Sequence, residues 1–280
     1  MKTLVRFACS FRSKESLAPY AAYLESKNTP YKISEIDVSN YYLIVEVARE
    51  DEGSSEIIET LSKLTFSTIS LEFTEEERLS AEWLNMESTN WKVENEYDEF
   101  EFFCPAAPEK EIIWGFHHRR VMPIHCRPIK WTNRNHIYGT AYGESDIVCD
   151  DHAYKIISGY NFGGLEFAEV FTLKNQVMSN AHHMVYKNEL PPEALLPDEA
   201  QDKILHCPWC GKIKYDNTHE SRIIVKREYL DDKVDFYGTP DMLGFHANAG
   251  RRVLVSQRVY RALKENMLTR NLRFEPVIIV

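Results

Sequence analysis

A chain of 280 residues, 44% hydrophobic and 27% charged, has the material for one large soluble domain or two ordinary ones. It has no apolar run near the roughly 18 to 20 residues a membrane helix needs, and the stretch opening Met1-Lys-Thr-Leu-Val-Arg-Phe is too soon interrupted by charge for a signal peptide. A formal charge of −10 speaks against a nucleic-acid backbone as ligand, because such binding runs on Lys and Arg releasing counterions, and six cysteines without secretory context point to reduced thiols or a metal site in the cytoplasm.

In chain order, Thr3 to Phe11 is rich in strand formers. Ser13 or Ser16 can cap a helix from Leu17 to about Lys27, in which Leu17, Tyr20, Ala21 and Leu24 recur at helical spacing until Asn28-Thr29-Pro30 stops it. Tyr31 to Val38 and Tyr41 to Val47 read as strands around a Ser39-Asn40 turn. A second helix spans Ser54 to Lys63, and a strand spans Phe66 to Phe73. This β-α-β-β-α-β order predicts a small ferredoxin-like α+β domain over residues 1–75.

Residues 76–101 read as an acidic linker with some helix. Between Glu72 and Glu111 acidic residues exceed basic ones by about ten, nearly the whole net charge. Trp91, Glu94, Glu96, Tyr97, Asp98, Glu99 and Glu101 form the candidate partner-binding patch, since Trp and Tyr are favoured interface anchors and an acidic surface steers a basic partner. The alternative for the aromatic residues of this stretch, Trp83 included, is that they pack the two domains together.

The region 102–280 reads as two decayed copies of one unit, at about 102–175 and 205–280. Ile147 to Val170 lies over the chain's end, with Tyr154 on Tyr260, Ile157 on Leu263, Leu165 on Leu272, Phe167 on Phe274 and Val170 on Val277. One inserted residue near Asn271 keeps the register. Each copy is a strand, an amphipathic helix and a strand, preceded by a glycine-containing turn at Gly139 or Gly238. Neither turn has the placement of a phosphate-binding loop.

Each copy also opens on cysteine. Cys207-Pro-Trp-Cys210-Gly211 is a knuckle in which two thiolates grip one ion from a tight turn, with Gly211 supplying the left-handed backbone such turns need. Cys104-Pro105 lies over Cys207-Pro208, but Ala107 stands where Cys210 would be. A structural zinc site wants four ligands. Cys207, Cys210 and Cys104 are the candidates for zinc, with the fourth to come from His206, His125, Cys126 or another nearby side chain.

These residues carry a resemblance to the double-CXXCG motif proteins. Members of that family have two Cys-x-x-Cys-Gly elements and end in a strand-helix-strand close to Leu-Val-x-Ser…Leu followed by Phe-x-Pro-Val. Here the counterparts are Cys207 to Gly211, Leu254-Val255-Ser256 through Leu263, and Phe274-Glu-Pro-Val277. The resemblance covers about residues 100–280 and departs at Ala107. It implies an immunity-type protein of a bacterial toxin system, which neutralises a cognate toxin by direct contact and carries no catalysis. The alternative is a zinc-ribbon-like accessory protein in a regulatory or nucleic-acid complex.

Other clusters suggest less. His117-His118 with His125-Cys126 lacks the common zinc spacing, in which paired ligands stand two to five residues apart. His182-His183 reads as a pair of surface histidines in a loop or short helix end, and Asp231, Asp232 and Asp235 as solvated charge without the glycine and closing Glu of a calcium loop. Cys149 falls where the other copy has Val255 and reads as a buried strand residue. No Gly-x-Ser-x-Gly elbow and no His-Glu-x-x-His helix is present, so no catalytic residue is assigned.

Overall fold

The computed structural model describes residues 1–37, 40–65, 67–94, 100–101, 104–107, 117, 119–120, 122–140, 146–198, 202–217, 222–240, 242–243 and 250–280. The chain is mixed α+β and falls into two compact units, one of Met1–Thr74 and one from Glu75 to the C-terminus. Among the described residues no helix is long and apolar enough to cross a membrane.

The first unit runs β1 (Lys2–Phe11), α1 (Lys14–Ser26), β2 (Tyr31–Asp37), β3 (Asn40–Ala48), α2 (Ser54–Ser62) and β4 (Ser67–Glu72). The strands form one antiparallel sheet in the order β2-β3-β1-β4. Alternation along β1 turns Val5, Phe7 and Cys9 inward, opposite Val47, Val45 and Leu43 of β3. Leu17 and Leu24 of α1 and Ile57 and Leu61 of α2 close that face. Ser13 caps α1 by accepting the Ser16 N–H at 3.2 Å.

The second unit begins with α3 (Glu75–Ser80), β5 (Trp83–Ser88), β6 (Phe100–Glu101), β7 (Arg119–Arg120), β8 (His125–Cys126), β9 (Ile137–Gly139) and β10 (Ile147–Cys149). It continues with α4 (Asp151–Gly159), β11 (Leu165–Thr172), β12 (Val177–Tyr186), β13 (Leu195–Leu196), β14 (Asp202–His206), β15 (Ile213–Asn217) and β16 (Ile224–Val225). It ends with β17 (Phe236–Gly238), β18 (Met242–Leu243), β19 (Val253–Ser256), α5 (Gln257–Glu265), β20 (Leu272–Pro276) and β21 (Ile278–Ile279).

Two sheets dominate this unit, ordered β8-β11-β12-β10-β9 and β17-β19-β5-β20. Their registers run in parallel. In the first, Cys149 faces Ile137, while Met184 of the inner strand lies between Ile147 and Phe167. In the second, Val255 faces Phe236, while Met86 lies between Val253 and Phe274. The helices that follow β10 and β19 are both capped by side chains: Asp150 accepts the Ala153 N–H, and Ser256 that of Val259. Tyr154 meets Phe167 and Tyr260 meets Phe274, both edge-on with ring centroids 4.9 Å apart. Both sheets and both helices bury their apolar faces in one core holding Ile147, Ile157 and Met184 with Met86, Leu263 and Phe274.

Two expectations are corrected here. Residues 76–101 are not simply linker and helix, because β5 is the inner strand of the C-terminal sheet and buries Trp83, Leu84, Asn85, Met86 and Ser88. Burial from both faces hides the alternation that would mark a strand in sequence. His182 and His183 likewise stand on β12 rather than in a loop. The extra residue near Asn271 has a role: its buried side-chain amide donates to Ile137 O at 2.9 Å, tying one sheet to the other.

Met86 is 2% exposed at the centre of this packing, and Met267 is 82% exposed. Met86→Ala is expected to cost about 2–5 kcal/mol and Met267→Ala less than about 0.5 kcal/mol, measured by urea unfolding. Equal effects would contradict the inner-strand placement.

Candidate metal centre

Cys207 follows directly on β14, and Ile213 begins β15, so the knuckle is the turn of a hairpin in which His206 pairs with Ile213. The Gly211 N–H donates to Cys207 O at 3.0 Å, and the Cys207 N–H donates to Lys212 O at 2.9 Å. Gly211 has φ +71°, where a side chain would be strained. Cys104 opens a similar turn, with the Ala107 N–H donating to Cys104 O at 3.1 Å. Ala107, Leu205 and Trp209 pack against Cys104 and Cys207.

Between the turns stands His117. Its Nε2 is 3.4 Å from Cys207 Sγ and 3.4 Å from Cys210 Sγ. The donor atoms of Cys104, His117, Cys207 and Cys210 all lie within 4.8 Å of one another. Zinc bonds of about 2.3 Å to sulfur and 2.0–2.1 Å to nitrogen at a tetrahedral angle put S and N about 3.6 Å apart, so the spacing suits one tetrahedral ion.

The electrostatics favour a cation as well. Burial opposes ionisation of Cys207, but the N–H groups of Cys210 and Trp209 and the neighbouring thiols outweigh it and lower its pKa. Burial, then the charge of Lys212, lower that of His117 and favour the neutral imidazole a metal requires. Burial, then hydrogen bonding with Cys207 and Cys104, raise the pKa of Cys210. A divalent cation bound there would deprotonate coordinating thiols outright.

The three expected cysteines are therefore brought together, and the fourth side chain of this group, which could hold a metal ion, is His117 and not His206, His125 or Cys126. His125 stacks on Phe171, and Cys126 is buried beside Met178 at 3.9 Å. His206, on the outside of β14, is exposed. His117 escapes a reading by spacing because it belongs to neither knuckle and stands 90 residues from Cys207. Its companion His118 lies outside the described residues.

The remaining clusters are built into the scaffold. Arg120 holds Asp146 through Nε at 2.7 Å, and His183 Nε2 lies 3.3 Å from the same carboxylate. Burial opposes that charge, but the His183 hydrogen bond and the His183 and Arg120 charges outweigh it and hold the pKa near 2. His136 Nδ1 lies 2.8 Å from the helix-capping Asp150, and His182 Nε2 lies 2.8 Å from Asp151 while its ring stacks on Tyr154. Asp235 is a correction to solvated charge: it is 6% exposed and accepts from Ser256, Arg258 and the Gly163 N–H. Cys149 is fully buried, and burial pushes its pKa far up.

Of the acidic patch, Trp91 is 56% exposed and lies over Gly139, where an added Cβ would come within 2.7 Å of Trp91 Cδ1. Glu94 pairs with Arg127 at 3.3 Å, and the backbone of Glu101 pairs with that of Arg119. Glu96, Tyr97, Asp98 and Glu99 lie outside the described residues. No family model, curated protein or solved structure matches the chain.

Asp146 has a lowered folded-state pKa, so its contribution is complete above 3.8 and lost as pH falls through about 2. Asp146→Asn removes the buried negative charge that Arg120 and His183 face and is expected to cost about 3 kcal/mol at pH 7, with the difference from the parent shrinking below pH 3.8. Urea unfolding at several pH values measures it. A difference independent of pH would contradict the assignment.

Proposed function

We propose that the protein is a zinc-stabilised binding protein that acts on another protein through its surface, with the ion held by Cys104, His117, Cys207 and Cys210. The observation carrying this reading is the convergence of three sulfurs and one imidazole nitrogen within 4.8 Å. A Cys3His set, with no fifth donor among the described residues, is the signature of a closed structural site. Bound there, zinc supplies a cross-link between the Cys104 turn, His117 and the β14–β15 hairpin. In the unfolded chain these donors are scattered, so metal affinity becomes folding free energy.

The finer architecture belongs to the same proposal. The antiparallel order β2-β3-β1-β4 supports a ferredoxin-like first unit. The matching registers around Met184 and Met86 support a duplicated α+β region, with the inner strand following α4 in one copy and preceding the whole unit in the other.

For the partner, we carry forward the immunity-type reading in a bacterial cytoplasm, which rests on the resemblance of Cys207 to Gly211 and Leu254 to Val277. The partner is then a cognate toxin, and the acidic balance favours a basic one. The nucleic-acid alternative shares the zinc site but sits poorly with a net charge of −10.

Two experiments test this. Metal analysis of the purified chain is expected to find about one zinc per chain, retained against a mild chelator and lost from His117→Ala under the same conditions. Zinc retention unaffected by His117→Ala would remove His117 from the site. Reversing Glu96, Asp98, Glu99 and Glu101 to Lys is expected to weaken binding of the adjacent gene's product by about tenfold or more, mainly through slower association. Unchanged association would remove the patch.

A further inference from the structure

The four donors of the metal centre are not equally sheltered. Cys104 is 4% and Cys207 2% exposed, whereas Cys210 lies open to solvent. A cavity of about 570 Å³ adjoins Cys210, lined also by Leu190, Pro191, Lys212, Ile213 and Pro240. Of the four donors, only Cys210 contributes to its wall. Oxidation of cysteine follows thiolate character and access together. Coordination gives all three sulfurs thiolate character, so access decides among them.

We propose that Cys210 is a modification site for small hydroperoxides, and that its oxidation, completed by a disulfide with Cys207, releases the zinc. This rests on the zinc reading above. The Cys210 thiolate attacks the O–O bond of hydrogen peroxide, becoming a sulfenic acid and expelling hydroxide. The Cys207 thiolate then attacks the Cys210 sulfur, forming the S–S bond and expelling a second hydroxide. The two sulfurs give up two electrons in all, and the peroxide takes them.

Cys207 is the resolving partner because both residues lie in one turn, held by the Gly211 N–H to Cys207 O bond. Their sulfurs lie within 4.8 Å and must close to about 2 Å, which needs no movement of the segment carrying Cys104. The ion is then left with Cys104 and His117, two ligands where a closed site wants four. Loss of zinc frees the Cys104 turn and His117 from the hairpin, so the cross-link opens from its exposed corner.

The test uses the full chain loaded with zinc and treated with hydrogen peroxide, with released metal read by a chromogenic chelator and thiols mapped by alkylation and mass spectrometry. Zinc is expected to leave in step with a Cys207–Cys210 disulfide while Cys104 still alkylates, and a thiol reductant is expected to restore binding. Oxidation appearing first at Cys104, a disulfide closing through Cys104, or zinc retained after Cys210 is oxidised would each overturn the proposal. A chain that carries no zinc before peroxide is added fails the site itself, which is a separate result. Pro191→Trp, which narrows the cavity without touching a ligand, is expected to keep the zinc and slow its release severalfold. Release at the parent rate would remove the cavity as the route.

Discussion

Three thiols and an imidazole held within 4.8 Å place a demand on the second unit that its hydrophobic core does not answer. Two of the sulfurs are almost wholly buried, and thiolates so close together repel one another. Protons can relieve the repulsion, but they leave weak donors and acceptors in place of strong bonds. A divalent ion would relieve it while joining the Cys104 turn, His117 and the β14–β15 hairpin. The long separation is that of His117 and Cys207, 90 residues, and the cost of closing such a loop, which an ion would offset, rises only slowly with its length.

The same dependence on distant segments marks the sheets. β5 completes the C-terminal sheet from a position before nearly all the rest of the unit, lying between β19 and β20. Asn271 then ties that sheet to β9, and a single core covers both helices. A unit assembled from such long-range pairs has few stable parts smaller than itself. The proposed cross-link between the Cys104 turn and the β14–β15 hairpin would therefore act on a structure whose elements already wait on one another.

Local features were legible in the sequence. The elements of the first unit, the Ser13 cap and the Cys207 knuckle each declare themselves within a dozen residues, through alternation, helical spacing or turn chemistry. The aromatic spacing of Tyr154 with Phe167 and of Tyr260 with Phe274 was legible too, and each two residues form an edge-on pair. What stayed hidden was set by partners far away. Trp83 to Ser88 reads as part of an acidic stretch because its neighbours are acidic, yet burial on both faces makes it an inner strand. Asp235 looks like one of a run of charges until Ser256 and Arg258 arrive to bind it. His117 carries no spacing signal at all, and Ala107, standing where a fourth cysteine would be, gave no hint that His117 joins Cys104, Cys207 and Cys210 in one group.

The proposed partner surface and the proposed ion are separate questions, and the ion is the one on which the Cys104, His117, Cys207 and Cys210 group bears. X-ray absorption at the zinc edge of the loaded, unoxidised chain addresses the ion directly. The expected result is a first shell of three sulfurs at about 2.3 Å and one imidazole nitrogen at about 2.0–2.1 Å. A shell of one or two sulfurs completed by oxygen would mean that Cys104, His117, Cys207 and Cys210 do not act as one site, and would contradict the account.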